Sequence, residues 1–199
     1  MIKWILLDQA GVQTKPVFSN KNIFELNKRK FSAVDLEKIF SSREYSDFMI
    51  GKLTEKKIVS MFVKKNNIGL TYEEYVFLFK QGIEKIEGME EILDSLHKRF
   101  KLAAVINESK DWADYKFEIS KFRAFFDKIF ISGEIGLKKP NSEFFRHVLK
   151  NIKALPEECV FIDDQERNCL SAKKEGIRSI VFINPKQLKK DLAKLGIEV

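Results

Sequence analysis

The chain has too little of several things to belong to several classes. Only two cysteines, Cys159 and Cys169, occur in 199 residues, which makes neither a disulfide framework nor a zinc-ligand spacing. Reduced, partly buried thiols point to the cytoplasm. No segment approaches 18 consecutive apolar residues, and the N-terminal run Ile2–Leu7 is too short for a signal peptide or a membrane span. Internal repeats and low-complexity stretches are absent. Both histidines, His97 and His147, fall in helix-like segments, where structural roles are expected. Cations exceed anions by 36 to 29, a net charge of +7. However, Lys28-Arg29-Lys30, Lys56-Lys57 and Lys189-Lys190 are short and separated, and no aromatic-basic motif accompanies them. That pattern reads as solvated surface and not as a nucleic-acid face.

What is present fits a globular α/β protein. A chain of this length can bury roughly 70% of its unfolded surface, and 18 phenylalanines supply core volume. Five short apolar runs stand out: Ile2–Leu7, Leu102–Ile106, Lys128–Ile131, Cys159–Ile162 and Ser179–Ile183. Continuous runs of this length suit strands buried on both faces, as in a parallel sheet. Helix-length segments lie between the last four: Lys110–Phe126, Asn141–Asn151 and Gln165–Glu175. Met89–Phe100 precedes the second run, and Lys186–Leu195 follows the last. Gly176 marks a helix stop. The alternation predicts a Rossmann-like parallel sheet. From about Phe18 to Lys85 the pattern is helical, with a start at Thr54 and a capping box at Thr71–Glu74. The expectation is an α/β core domain of residues 1–16 and 86–199, with an all-helical cap of residues 17–85 inserted in it.

Chemistry gathers where the predicted strands end, which is where open α/β sheets bind ligands. Asp8 follows the first run, Asn107 the second, Lys139 the third, and Asp163-Asp164 the fourth. Two carboxylates about 4 Å apart repel by about 4 kcal/mol at an effective dielectric near 20. Three at one rim therefore need a cation. Lys139 offsets part of the repulsion, and a hard divalent ion such as Mg²⁺ offsets more. The ion would let Asp8 attack a phosphorus atom. Lys139 and backbone N–H groups near Gly11 would hold phosphate oxygens.

These residues carry a family resemblance. Leu6-Leu7-Asp8-Gln9-Ala10-Gly11-Val12 resembles the first motif of the haloacid dehalogenase superfamily, and Ala103–Asn107 the second. Gly136-Leu137-Lys138-Lys139-Pro140 resembles the third, and Val160–Asn168 the fourth. Gly51-Lys52-Leu53-Thr54 is similar to the cap of sugar-phosphate phosphatases and of epoxide-hydrolase N-terminal domains. The resemblance implies Asp8 as nucleophile and Lys139 as charge stabiliser. It implies Asp8, Asp163, Asp164 and the Ala10 carbonyl as metal contacts.

Two positions depart from the family pattern. The family's usual general acid, two residues after the nucleophile, is here Ala10, and the usual motif-two hydroxyl is here Ile106. Phosphonoacetaldehyde hydrolases resemble the chain in having Ala-Gly at that point, and they form a Schiff base on a cap lysine, for which Lys52 is a candidate. Haloacid dehalogenases also lack the acid, but Asp163-Asp164 speaks against that subgroup. The leading expectation is a Mg²⁺-dependent phosphatase of small phosphorylated metabolites, with a phosphoaspartyl intermediate on Asp8 and no nucleic-acid or membrane partner. The alternative is a phosphate- or metal-binding regulatory protein that has lost turnover.

Overall fold

All five apolar runs become strands in the computed structural model, which describes residues 1–199. In chain order the strands are β1 (Trp4–Leu7), β2 (Ile23–Leu26), β3 (Arg29–Ser32), β4 (Lys101–Ile106), β5 (Lys128–Ile131), β6 (Cys159–Asp163) and β7 (Arg178–Val181). The five expected strands form one parallel sheet in the order β5-β4-β1-β6-β7. Side chains alternate across it: Ile5 and Leu7 enter one core cluster, Trp4 and Leu6 the other. Both faces are covered, so these strands lack the polar alternation of a half-exposed sheet.

The first helices are α1 (Ala33–Glu37), α2 (Arg43–Phe48), α3 (Glu55–Lys65) and α4 (Tyr72–Gln81). After them come α5 (Met89–His97), α6 (Lys110–Ser120), α7 (Ser132–Ile135), α8 (Ser142–Ile152), α9 (Glu166–Lys174) and α10 (Pro185–Lys194). Helices α5 and α10 pack on one face of the sheet, and α8 and α9 on the other. None is long and apolar enough to cross a membrane. The expected starts and stops carry the helix ends. Thr54 Oγ1 accepts from Lys57 N, and Thr71 with Glu74 forms a reciprocal capping box. Gly176 follows α9 at φ +82°. The segment Lys110–Phe126 is not one helix: Lys121 turns left-handed at φ +65°, and a 3₁₀ turn follows it.

The insert between β1 and α5 is not all-helical, which corrects the sequence expectation. Strands β2 and β3 pair as an antiparallel hairpin. Its two-residue turn, Asn27-Lys28, has both residues at positive φ, 50° and 63°, the requirement of a type I′ turn. Glycine is absent there, and each strand is only four residues long, so the pattern does not announce itself. The insert has its own aromatic core, and α6 joins it: Trp112 is fully buried among Phe40, Phe48 and Phe79, and Tyr115 packs against Phe79. The Trp112 indole N–H donates to Glu55 of α3 at 2.8 Å, and Tyr115 and Tyr72 donate to the same carboxylate. The loop at Gly51 also meets the main sheet's side closely, since a Cβ there would lie 2.2 Å from the Gly133 carbonyl oxygen.

Candidate functional site

Sheet register sets the centre of the site. Leu7 aligns with Ala104 on one side and with Ile162 on the other. The next residues along, Asp8 and Asp163, therefore leave the sheet side by side. The Asp8 amide is held by the Ile162 carbonyl at 2.9 Å, and Gln13 donates to the Asp8 carbonyl at 2.8 Å.

Lys139 joins these strand ends. Its ammonium lies 2.8 Å from Asp8 Oδ1 and 2.7 Å from Asp163 Oδ2, and it donates to the Val105 carbonyl at 2.6 Å. That makes three acceptors for three N–H groups, with the side chain fully buried. Asn107 fixes the lysine's backbone, accepting from Lys139 N and donating to Lys139 O, each at 2.8 Å. The sequence suggested Asn107 as a phosphate contact. In the structure Oδ1 and one N–H of its amide bond Lys139, because β4 ends directly beside the Lys139 turn, and the second N–H has no partner in the protein.

Asp163 is saturated as well. It accepts from Lys139, from the Gln165 amide at 2.8 Å and from Asn168 at 2.9 and 3.1 Å. Its neighbour Asp164 is partly exposed and accepts only from the Gln165 side chain. Oxygens of Asp8, Asp163 and Asp164 lie within 4.8 Å of one another. Gly11 faces this group at φ +86°, where a Cβ would stand 2.6 Å from Asp164 Cγ. Its N–H, expected to face phosphate, donates to the Thr14 carbonyl at 2.7 Å because the loop closes a tight turn. Gly11 therefore contributes space and not a donor. The Ala10 carbonyl accepts no hydrogen bond and is free for a ligand.

Burial and charge act on these groups in opposite directions. Burial pushes the Asp8 carboxyl up to about 7; Lys139 pulls it down, and the Asp163 charge raises it further. Burial also raises Asp164, with Asp163 adding to it. Burial disfavours the Lys139 ammonium, but the two carboxylates outweigh it and raise its pKa. A centre that disfavours its own negative charge is one that a cation stabilises.

Three further residues were not legible as site residues. A cavity of about 510 Å³ has Ala10 in its wall together with Val17, Phe40, Tyr45, Glu108 and Lys116. Glu108 and Lys116 form an ion pair at 2.7 Å with side chains 4% and 3% exposed. The Tyr45 hydroxyl, from α2, lies 3.4 Å from Glu108. One signal was available: Lys116 falls on the stripe Trp112, Ala113, Lys116, Phe117, Ser120, the buried face of α6. Lys52 is not brought here; it is exposed and pairs with Asp47 at 3.6 Å. His97 and His147 pack edge-on against Phe125 and Phe130.

Known proteins share this architecture. Residues 19–182 match the haloacid dehalogenase-like hydrolase family. A drimenol cyclase of Aspergillus calidoustus is 27% identical over 165 residues, 80% of this chain and 31% of that protein. A chloroplast flavin mononucleotide hydrolase of Arabidopsis thaliana is 32% identical over 121 residues, 60% of this chain and 49% of that one. The match thus spans less than half the length of either curated relative. A haloacid dehalogenase-family enzyme of Bacteroides thetaiotaomicron, solved with magnesium and inorganic phosphate, superposes with a TM-score of 0.70 at 18% identity, covering 92% of this chain and 96% of that one. The parallel sheet, the acidic strand ends and the family match agree, and the chain belongs to the haloacid dehalogenase-like hydrolases.

Proposed function

We propose that this chain is a Mg²⁺-dependent phosphatase of small phosphorylated metabolites, working in the cytoplasm through a phosphoaspartyl intermediate on Asp8. The observation that carries the reading is the convergence of three carboxylates within 4.8 Å around a saturated, buried Lys139. The donor set fits the ion: carboxylate oxygens with the unbonded Ala10 carbonyl are the hard ligands that Mg²⁺ takes. Asp8, Ala10, Asp163 and Asp164 would hold it, with Asp164 and Asp8 the freer donors, since four hydrogen bonds already occupy Asp163. When bound, the ion supplies positive charge that lets an anionic carboxylate approach an anionic phosphate.

The chain's own residues do the rest. Lys139 holds the Asp8 carboxylate in one orientation and keeps compensating charge beside it. An Asp8 oxygen attacks phosphorus, and the ester P–O bond breaks. Water then attacks the phosphoaspartyl group and returns Asp8 with release of inorganic phosphate. Residues 17–85, read as a cap over a core of 1–16 and 86–199, roof the leaving-group side. The similarity to a flavin mononucleotide hydrolase supports a phosphorylated substrate. The test is a panel of phosphomonoesters with Mg²⁺, comparing wild type with Asp8→Asn. Activity that survives the substitution or a chelator rejects the reading.

A second reading, a phosphate- or metal-binding protein without turnover, has its own observation. Ile106, where a hydroxyl would meet phosphate, is buried in the apolar core cluster. That reading predicts calorimetric binding of Mg²⁺ or phosphate and no hydrolysis of any ester in the panel.

A further inference from the structure

Breaking a phosphate ester requires something to meet the departing oxygen. Three residues around Asp8 have no free proton to give, and a fourth, Asp164, stands among the proposed metal contacts. Lys139 has all three N–H groups bonded to protein acceptors, and Asp163 accepts four hydrogen bonds. Ala10, two residues after Asp8 and part of the wall of the cavity described above, carries no titratable group.

Other residues of that cavity's wall do. Helix α6 starts just after the Asn107 strand end, and side chains on a helix lean toward its N-terminus. Lys116 therefore runs back toward the strand ends and reaches Glu108, the residue after Asn107. Lys116 is 97% buried, yet it makes only this one hydrogen bond. Two of its three N–H groups have no acceptor in the protein, in a cavity it shares with Ala10. Buried donors of a charged group are rarely left without partners. Glu108 is better satisfied, accepting also from Ser109 N at 3.1 Å, with the Tyr45 hydroxyl 3.4 Å away. The other charged group lining the cavity is Glu37.

We propose that Lys116 is the leaving-group acid of this enzyme and Glu108 its positioning residue, an inference that rests on the phosphatase reading above. As the Asp8 oxygen bonds to phosphorus and the ester P–O bond breaks, the leaving oxygen takes a proton from the Lys116 ammonium and departs as an alcohol. The neutral amine then takes a proton from the water that attacks the phosphoaspartyl group, and the ammonium is restored as phosphate leaves. Glu108 holds the amine in place through both steps.

Leaving groups of different basicity test this. p-Nitrophenyl phosphate releases a stable phenolate and needs little proton transfer; n-butyl phosphate releases an alkoxide and needs it. In Lys116→Met the ratio of kcat for the aryl ester to kcat for the alkyl ester rises on the order of 100-fold, whatever loss the two esters share. Lys116→Arg keeps the ion pair with Glu108, which guards against a folding failure, but arginine does not release its proton, so the ratio rises there as well. Glu108→Gln moves it in the same direction by less. If both Lys116 variants lower the two esters by a common factor, the pair is structural and the inference is overturned while the phosphatase reading stands. A wild type inert toward both esters in Mg²⁺ overturns the phosphatase reading and this inference with it.

Discussion

Two buried lysines, about as well shielded from water as each other, sit in different states of satisfaction. Lys139 at the strand ends has an acceptor for every N–H group; Lys116, in the cavity under the insert, has one acceptor for three. The first is built to hold still, because each of its bonds fixes another part of the site: Asp8, Asp163 and the end of β4. The second keeps capacity for a ligand. Burial alone does not separate a lysine that only holds charge in place from one with donors left for a ligand; the count of unused donors does.

The largest effect that would sharpen the contrast comes from Lys139→Met. It leaves Asp8 and Asp163 buried with no cation, and breaking a buried pair in this way costs about 3–5 kcal/mol. Urea unfolding should show it as a fall in midpoint, with phosphatase activity lost as well. Lys116→Met should cost less, about 2 kcal/mol, because Glu108 keeps its bond from Ser109 N and has Tyr45 nearby. Equal losses in the two variants would break the comparison.

Asp8→Asn comes next and should have opposite effects on activity and stability. Hydrolysis should fall to background. The metal-free protein should become more stable by on the order of 1–3 kcal/mol at pH 8. The sign follows from the carboxyl's shift from 3.8 to about 7. Between those values the folded state holds the extra proton, so stability falls as pH rises through that window and stays reduced above it. Asparagine removes the Asp8 share of the slope, and the difference between wild type and Asp8→Asn in thermal unfolding from pH 4 to 8 without Mg²⁺ would read it. If the wild type loses no more stability than Asp8→Asn across that window, the burial argument fails.

Gly11→Ala should cost about 1–2 kcal/mol of backbone strain and push Asp164 out of place, weakening Mg²⁺ binding more than folding. Calorimetric titration with Mg²⁺ would show an unchanged affinity if Gly11 were merely a turn residue. The smallest effect expected is from Trp112→Phe, which keeps most of the aromatic packing and removes the indole bond to Glu55. About 1–2 kcal/mol is expected, visible as faster amide hydrogen exchange in α3, while the Lys139 centre is untouched.

The acidic centre was legible because each member ends a strand. Ile2–Leu7 and Cys159–Ile162 suit buried strands of a parallel sheet, and the aspartates that follow them are then expected at one edge of it. Two local contacts were not legible: the Asn107 amide also fixes the Lys139 backbone, and the Gly11 N–H is taken by the Thr14 carbonyl. The β2–β3 hairpin was missed for a local reason. Its exposed edges weaken the apolar pattern, and a turn without glycine has no distinctive letters.

The sequence by itself determined the sheet, the order of its elements and the strand ends that carry Asp8, Asn107 and Asp163-Asp164; Lys139 comes from the loop after α7, eight residues beyond β5. Those follow from hydrophobic runs and local breaks, which short stretches of chain encode. Tertiary structure alone decided how many partners each charged group has. Lys116 is one of 36 basic residues until α6 turns it inward, and Trp112 is one more apolar residue until it enters the aromatic core of the insert. Satisfaction of a buried group is a property of its three-dimensional neighbours, and those come from parts of the chain far apart in sequence.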